Sequence, residues 1–472
     1  MATGIYQFLP SIQEIDAFLL KKRMPSGRRV RNSVQNSLDQ LRLHIANNTL
    51  DPSILKNPSR ELFLQWIMEN SKELQHIQKV INATGVVVHT NLGRTPLPEK
   101  LFQELIPRLC SYSNLEFELD TGKRGSRDTV LRNLLKNLSG AEEALLVNNN
   151  ASAIFLMLKT LTAGKEVIVS RGELVEIGGS FRIPDIIRES ETVLVEVGTT
   201  NRTRLSDYEQ AINENTAAIL KVHPSNYVIE GFTESVEIPR LVELAKARGL
   251  YCLHDWGSGT FYQFEQKGLK DYPTAQQEIG KGVDVLSFSA DKLLGAVQGG
   301  IIVGRKEAVD KMRSHPLYRA LRADKVTLGI IETVLGAYFE PESLKDNITG
   351  IGLLERTVEE IREQAHKTKD SLQINPDSEW KVSIQETDSK TGGGALPEIP
   401  LPSCALVIHH NLFKAQQIQE WLRSQPTPVI VRIMAESIWL DFRTIFKEDE
   451  ETLQNSLKLL MNTTFFERAQ KA

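Results

Sequence analysis

Short apolar runs alternate with amphipathic stretches through the middle of the chain. The runs lie at 144–150, 166–170, 192–197, 217–222, 250–254 and 283–288, and helical patterns or long loops separate them. Strands that alternate with helices form a mostly parallel sheet covered on both faces. The pattern therefore predicts a large α/β domain at about residues 82–340.

The first 75 residues have a helical pattern instead. Apolar positions at helical spacing predict one helix over 11–23 and a second over 59–81, with Ser59 as the N-cap of the second. The second helix has four residues on one face, which we interpret as core packing: Leu62, Trp66, Phe63 and Ile67. Segment 1–75 is predicted to be a small helical domain, joined by a linker to the large α/β domain.

The last part of the chain is predicted to be a smaller α/β domain, 341–472. Its pattern indicates a helix over 355–372 and strands at 380–384, 404–410, 428–433 and 437–442. A Gly/Pro-rich loop, 390–403, is expected between the first two strands.

Composition is that of an ordinary globular protein, with 25% charged and 41% apolar residues among 472. No apolar run reaches the roughly 20 residues that a membrane span needs, and no signal peptide is predicted. Three cysteines without CxxC spacing, Cys110, Cys252 and Cys404, support neither a disulfide framework nor a zinc site. We expect a cytoplasmic protein without a metal centre.

The net charge of −4 is unevenly distributed. Residues 1–80 hold eleven Lys/Arg and seven Asp/Glu, and six of the eleven basic residues lie in 21–31. Such a run is either a solvated loop or a phosphate-contacting patch on the N-terminal module.

Lys292 is the most informative residue of the chain. It follows the apolar run 283–288 in a small polar turn, three residues after Ser289, and a Gly-rich stretch and a second apolar run come next. A pyridoxal 5′-phosphate (PLP) enzyme needs such a lysine for the Schiff base and a nearby hydroxyl for the cofactor phosphate. In isolation the same pattern is typical of a solvated lysine in a hairpin, so the hypothesis depends on further partners.

Asp255 ends another apolar run, thirty-seven residues before Lys292. A carboxylate there could pair with the pyridine nitrogen of PLP and keep the ring an electron sink. In enzymes of the aspartate aminotransferase type, such an Asp and Lys lie on neighbouring strands in this order. The alternative is an ordinary Asp-Trp-Gly turn.

A strand–turn–helix at 147–155 carries three asparagines followed by small residues. Free N–H groups at a helix N-terminus bind phosphate well. The candidates for a phosphate site are Asn149, Asn150, Ala151 and Ser152. Plain helix capping by asparagine is the competing interpretation.

Several cationic residues could bind other anions. They are Arg94, the cluster Lys123, Arg124 and Arg127, and the pair Arg319 and Arg322. Arginine suits bidentate phosphate contacts, and the last two would share a face if their segment is helical. Each alone is typical of a surface ion pair; together they indicate a site for anions beyond the PLP phosphate.

These residues occur within longer motifs that resemble one family, the bacterial L-seryl-tRNA(Sec) selenium transferases, or selenocysteine synthases. The matching segments are 81–97, 170–185, 195–203, 288–295, 319–329, 392–403 and 429–444. The chain departs from the usual family sequence at Ala290, Ala296 and Val297, around the lysine turn. Segment 1–80 matches more in length and helical character than in motif.

The resemblance implies a PLP-dependent fold of the aspartate aminotransferase type. It implies PLP on Lys292, with Asp255 at the ring nitrogen and Ser289 near the phosphate. Seryl-tRNA(Sec) would become selenocysteinyl-tRNA(Sec) through an aminoacrylyl (dehydroalanyl) intermediate, with selenophosphate as donor. By the same resemblance, Arg94, Arg319 and Arg322 would bind the donor and Asp291 would act in the active site.

The resemblance also implies an N-terminal domain that binds tRNA, and a homodecamer built as a pentamer of dimers. Two other functions stay open at this point. One is a PLP lyase or desulfurase acting on a free amino acid; the other is a tRNA-binding protein with an inactive PLP site. The basic N-terminal module argues against a lyase or desulfurase. The inactive-site alternative is disfavoured because the chain has Lys292, Asp255 and Ser289.

Overall fold

A computed structural model describes residues 5–21, 28–46, 50, 54, 58–71, 77–177, 181–224, 227–375, 378–392 and 399–462. Its strands are β1 (Ile81–Ala83), β2 (Phe117–Glu118), β3 (Lys123–Arg124), β4 (Glu143–Val147), β5 (Glu166–Ser170), β6 (Glu176–Ile177), β7 (Phe181–Arg182), β8 (Val193–Val197), β9 (Thr216–Val222), β10 (Tyr251–Gly257), β11 (Val285–Ser289), β12 (Gly300–Gly304), β13 (Trp380–Lys390), β14 (Pro400–His410), β15 (Val429–Met434) and β16 (Ser437–Asp441).

The helices are α1 (Ile12–Lys21), α2 (Arg28–Ala46), α3 (Arg60–Asn70), α4 (Glu99–Leu109), α5 (Thr129–Ser139), α6 (Asn150–Leu161), α7 (Ile183–Glu189), α8 (Leu205–Ala211), α9 (Ile238–Arg248), α10 (Ala275–Gly280), α11 (Lys306–Ser314), α12 (Pro316–Leu321), α13 (Lys325–Ala337), α14 (Leu344–Asn347), α15 (Thr349–Glu355), α16 (Val358–Ser371), α17 (Ala415–Arg423) and α18 (Glu450–Asn462).

The chain divides into two compact units, of which the larger comprises 85–362 and 386–404. Its sheet has seven strands in the order β4-β12-β11-β10-β9-β5-β8. Strands β8, β5, β9, β10 and β11 are parallel to one another, and β12 is antiparallel to both of its neighbours. Because β12 reverses direction between them, β4 and β11 point the same way. The carboxyl ends of β4, β9, β10 and β11 therefore meet at one edge.

A buried apolar layer fixes this sheet. Successive strands contribute Val167, Leu220, Leu253 and Val285, each fully buried. Helix α6 adds the buried Ala153, Ile154, Leu156, Met157 and Leu158. Burying each large aliphatic side chain contributes roughly 1.5–3 kcal/mol. The helix that begins at Asn150 is thus firmly anchored at the edge where the strands end.

The other unit comprises 1–84, 363–385 and 405–472. A five-stranded sheet has the order β1-β15-β16-β14-β13, in which β1 and β15 are parallel and β16 is antiparallel to β15 and β14. The strands predicted in this part of the sequence all form, although β13 runs on to Lys390 and β14 begins at Pro400. The predicted loop over 390–403 was therefore too long, and residues 393–398 lie outside the described residues.

The N-terminal helices share a core of their own, in which Ile15, Leu38, Phe63 and Ile67 are buried. Ser59 caps α3 as predicted, since its hydroxyl accepts a hydrogen bond from the Leu62 amide at 3.2 Å. Of the four residues placed on one face, Phe63 and Ile67 are in the core, whereas Leu62 is exposed. The proposed segment boundaries at 75, 82 and 340 stay predictions.

The helix predicted over 59–81 ends at Asn70, and residues 72–76 of the prediction lie outside the described residues. At Ser71 the backbone turns extended, and the buried hydroxyl donates to the Ile67 carbonyl oxygen at 2.6 Å. A side-chain hydroxyl that takes a backbone carbonyl competes with helix continuation. Residues 78–80 are not helical, and β1 starts at Ile81.

Gly300 on β12 is packed so closely that a side chain would displace the backbone. A Cβ there would lie 2.1 Å from the Asn149 carbonyl oxygen. We expect Gly300→Ala to lower the free energy of unfolding by about 1–3 kcal/mol, measured by urea titration. Gly336→Ala is the control, because no atom lies within 4 Å of a Cβ there. A Gly300→Ala protein as stable as Gly336→Ala would contradict this packing.

Candidate active site

Lys292 lies in a tight turn directly after β11. The turn is closed by hydrogen bonds from the Ala290 amide to the Gly299 oxygen (2.9 Å) and from the Ala296 amide to the Ala290 oxygen (2.9 Å). The lysine side chain is buried, and Ser289, also buried, ends the strand opposite Gly300. The structure thus rejects the solvated hairpin for Lys292.

The electrostatic surroundings of Lys292 favour the neutral amine. Burial, and after it the Arg94 guanidinium, lowers the pKa of this lysine to about 8. The carboxylates of Asp255 and Asp291 act in the opposite direction. Near neutral pH a useful fraction of this amine is unprotonated, unlike that of a surface lysine.

Asp255 lies on β10, the strand next to β11, with its side chain buried. The Asn150 amide Nδ2 donates to its Oδ1 at 2.8 Å. Burial raises the pKa of Asp255 to about 6, against the hydrogen bond from Asn150 and the charge of Lys292, which lower it. Asp255 is therefore part of a buried strand end and no surface turn.

The side chains of Asn149 and Asn150, at the start of α6, make different contacts. Asn149 is the N-cap of α6, because its side-chain oxygen accepts from the Ser152 amide at 2.8 Å. Asn150 binds Asp255 through its side chain. The capping interpretation is therefore confirmed for Asn149, and the side chain of Asn150 points to the carboxylate. Ala151 and Ser152 are half-buried in the first turn of the helix.

Arg94 and Asp291 form an ion pair beside the lysine. Arg94 Nη1 lies 2.6 Å from Asp291 Oδ2, and the two side chains are 34% and 10% exposed. The other carboxylate oxygen of Asp291 is buried without a hydrogen-bond partner in the described part of the chain. An orphaned buried acceptor at this place is typical of a site that a ligand completes.

Arg319 and Arg322 do not share a helix face as predicted. Helix α12 ends at Leu321, and Arg322 follows it with extended backbone. Arg322 forms an isolated bridge with Val147, and the Asn148 amide donates to the Leu321 oxygen at 3.0 Å. These backbone contacts hold Arg322 at the carboxyl end of β4, whereas Arg319 is exposed.

The cluster at 123–127 is engaged in other contacts. Arg124 Nη2 and Arg127 Nε each lie 2.9 Å from a carboxylate oxygen of Glu116, and Arg127 also donates to the Ala323 oxygen. These bonds lower the pKa of the Glu116 carboxyl, Arg127 more than Arg124. Arg124 is thus a surface ion-pair residue, whereas Arg127 forms a half-buried ion pair; Lys123 is exposed on β3.

Sequence reasoning missed His223, at the carboxyl end of β9. Its backbone amide donates to the main-chain oxygen of Asp255 at 2.9 Å. Its side-chain Nδ1 is buried without a hydrogen-bond partner among the described residues. Burial, together with the charges of Lys221 and Lys292, lowers the pKa of His223 to about 4. A polar residue directly after an apolar run, the signal used for Asp255, could have found it.

Comparison with known proteins places this site in a family. A family model described as L-seryl-tRNA selenium transferase matches residues 80–446. The chain belongs to this family. An L-seryl-tRNA(Sec) selenium transferase of Clostridium botulinum (strain Okra / Type B1) is 42% identical over 461 residues, covering 96% of this chain and 99% of that protein. One from Aquifex aeolicus (strain VF5) is 44% identical over 403 residues, covering 85% and 88%.

The fold has a solved relative as well. The structure titled D-glucosaminate-6-phosphate ammonia-lyase matches with a TM-score of 0.58 and 20% identity, over 82% of this chain and 96% of that one. This likeness confirms the predicted α/β fold class, whereas the family model and the curated relatives confirm the family and the enzyme class. Within the described residues, no helix combines the length and apolarity needed to cross a bilayer.

The buried charge of Asp255 costs stability above the pH at which it ionises. Its raised pKa means that the folded chain binds this proton more tightly than the unfolded chain. The stabilisation is complete below about pH 3.8 and is lost as pH rises through about 6. Asp255→Asn keeps an acceptor for Asn150 without the charge.

We therefore expect Asp255→Asn to stabilise the ligand-free chain by about 2–3 kcal/mol at pH 8, and by less at pH 5. Thermal unfolding at both pH values measures this. Asp271→Asn, at an exposed position, is the control and should change neither midpoint. Equal effects of Asp255→Asn at both pH values would refute the assigned ionisation.

Proposed function

We propose that this chain converts L-seryl-tRNA(Sec) to L-selenocysteinyl-tRNA(Sec), with selenophosphate as the selenium donor. The observation that carries the proposal is the buried Lys292 beside Asp255 at one sheet edge, in a chain 42–44% identical to proteins named for this reaction. Since its other substrate is a charged tRNA, we place the reaction in the cytoplasm.

The residues at this edge fit pyridoxal 5′-phosphate. We propose that Lys292 binds it covalently, that Asp255 binds the ring nitrogen, and that Ser289 and the start of α6 (Asn149, Asn150 and Ala151) lie at its phosphate. Among the residues that the structure describes, His223 Nδ1 and Asp291 Oδ1 are buried without a hydrogen-bond partner, and we propose that both lie close to the bound ligands. When bound, the cofactor supplies an electron sink for loss of the Cα proton and the β-substituent.

The protein groups supply the proton chemistry. With a pKa of about 8, Lys292 Nζ can both accept and return a proton near neutral pH. Asp255, with a pKa of about 6, is mostly ionised at pH 7 and can accept a hydrogen bond from a protonated ring nitrogen. Burial of both groups excludes water, which strengthens their electrostatic effect.

The donor is an anion, and we propose that Arg94, Arg319 and Arg322 bind it. Arg94 is one-third exposed although it is paired with Asp291, so its side chain is not fully covered by that ion pair. We propose that its ion-pair partner Asp291 is an active-site residue as well. Arginine donors in fork geometry suit a phosphate-like group better than lysine does.

The larger assembly is also proposed by family membership. We expect a homodecamer, a pentamer of dimers, and a tRNA contact on segment 1–75. The basic run 21–31 belongs to that contact, although its side chains beyond Lys21 lie outside the described residues. Phosphate contacts release counterions, so tRNA affinity should fall as salt rises.

Lys292→Ala tests the central claim. We expect loss of the visible absorbance of the lysine-bound cofactor, and at least a roughly 1,000-fold loss of seryl-tRNA(Sec) conversion, because both need the same amine. Lys246→Ala, on the exposed face of α9, is the control and should retain both. Turnover of free serine or cysteine by the wild type without reaction of the tRNA would overturn the proposal in favour of a lyase or desulfurase.

Arg319→Gln tests donor binding. Loss of a charge-assisted hydrogen bond of about 1.5–3 kcal/mol should raise the KM for selenophosphate roughly 10- to 100-fold. The KM for the tRNA should not change. Arg124→Gln is the matched control, because the Arg124 guanidinium is bound to Glu116. It should leave the KM for selenophosphate unaltered. A lower kcat at unchanged donor KM would argue against anion binding by Arg319.

A further inference from the structure

Two consecutive residues, Arg94 and Thr95, hold two consecutive residues, Asp291 and Lys292, across 197 positions of sequence. Arg94 pairs with Asp291 through Nη1 at 2.6 Å. Thr95 Oγ1 donates to the main-chain oxygen of Lys292 at 2.7 Å, and both residues are buried. The Thr95 bond is to the backbone, so it constrains the position of the lysine main chain and does not involve the side-chain amine.

The turn before Thr95 is held in an unfavourable conformation. Gly93 and Arg94 have φ of 85° and 64°, and the Arg94 amide donates to the His89 oxygen at 2.9 Å. A non-glycine residue in this region costs roughly 1 kcal/mol or more and persists only where its surroundings determine it. The contacts of Arg94 with Asp291 and of Thr95 with Lys292 hold the turn in this conformation.

The orientation of Thr95 is itself set from its other side. A Cβ at Gly350, in α15, would lie 2.4 Å from the Thr95 methyl carbon Cγ2. The methyl group therefore packs directly on the helix backbone, which leaves the hydroxyl directed at Lys292. Glycine at 350 is required for this rotamer of Thr95.

The Lys292 oxygen has a second donor, the Gly295 amide at 3.1 Å. Loss of the Thr95 hydroxyl would consequently leave the carbonyl hydrogen-bonded. The bond from Thr95 is not needed to satisfy a buried acceptor, so its consequence is the placement of the lysine turn relative to the Arg94 turn.

We propose that Thr95 is a positioning residue, whose hydroxyl fixes the Lys292 main chain so that the Arg94 guanidinium stays beside the lysine amine. This deepens, and rests on, the proposed function. The facing charged and titratable groups are Arg94, Asp255, Asp291 and His223, of which Arg94 disfavours the protonated amine and the two carboxylates favour it, while the Lys292 charge in turn lowers the pKa of His223. Loosening the Arg94 turn should let the pKa of Lys292 rise.

The test measures the ionisation of the Lys292 amine directly, in the cofactor-free full chain. Competitive acetylation by acetic anhydride across pH, followed by mass spectrometry of the Lys292 peptide, gives the midpoint of its ionisation. The wild type should titrate near 8. We expect Thr95→Val to shift the midpoint upward by roughly half a pH unit or more, and Thr95→Ser to restore it. Gly350→Ala, which displaces the Thr95 methyl, should reproduce the Thr95→Val shift.

Thr162→Val is the matched control, because its buried hydroxyl also donates to a backbone oxygen, that of Leu158 at 2.7 Å. It should alter stability without moving the Lys292 midpoint. The inference is overturned if Thr95→Val and Thr162→Val give the same midpoint, or if the wild type titrates like an ordinary lysine. This measurement needs neither cofactor nor tRNA. It can therefore refute the role of Thr95 whatever the outcome of the Lys292→Ala test of the proposed function.

Discussion

The arrangement depends on one topological constraint, the reversed strand β12 between β4 and β11. With β12 antiparallel to both, the carboxyl end of β4 comes to the edge where β9, β10 and β11 end. At that edge the parallel pairing of β10 with β11 brings the carboxylate and the amine together in a buried place. Burial disfavours both charges, and each charge partly offsets the loss of hydration of the other. The site thus costs stability, and the apolar layer of the sheet compensates for it.

The local sequence predicted those parts of the site that lie at strand ends. Asp255 ends one apolar run and Lys292 lies in the turn that follows another, and the edge rule for parallel sheets makes such residues neighbours. His223 obeys the same rule but was missed, because a histidine before a proline is equally typical of a loop. The helix over 59–81 failed because apolar spacing continues past Ser71, where buried hydroxyl contacts with Ile67 and Ser37 end the helix.

Contacts between distant segments could not be predicted from local pattern. Asn150 meets Asp255 across 105 positions, and Arg94 meets Asp291 across 197. Both pairings depend on strand order, which hydrophobic periodicity does not encode. For the arginines at 319 and 322, spacing alone suggested a shared face, yet the helix ends between them because the Leu321 oxygen and the Arg322 backbone are taken up by the end of β4.

The partner of Asn150 changes what that residue does in the proposed function. An amide donor stabilises the ionised form of a carboxylate, so the hydrogen bond to Asp255 opposes burial. Without it, the pKa of Asp255 would rise further above its ordinary value. A protonated Asp255 would lack the negative charge that stabilises a protonated ring nitrogen. Asn150 therefore supports the electron sink through the charge state of Asp255, in addition to any contact of its backbone with phosphate.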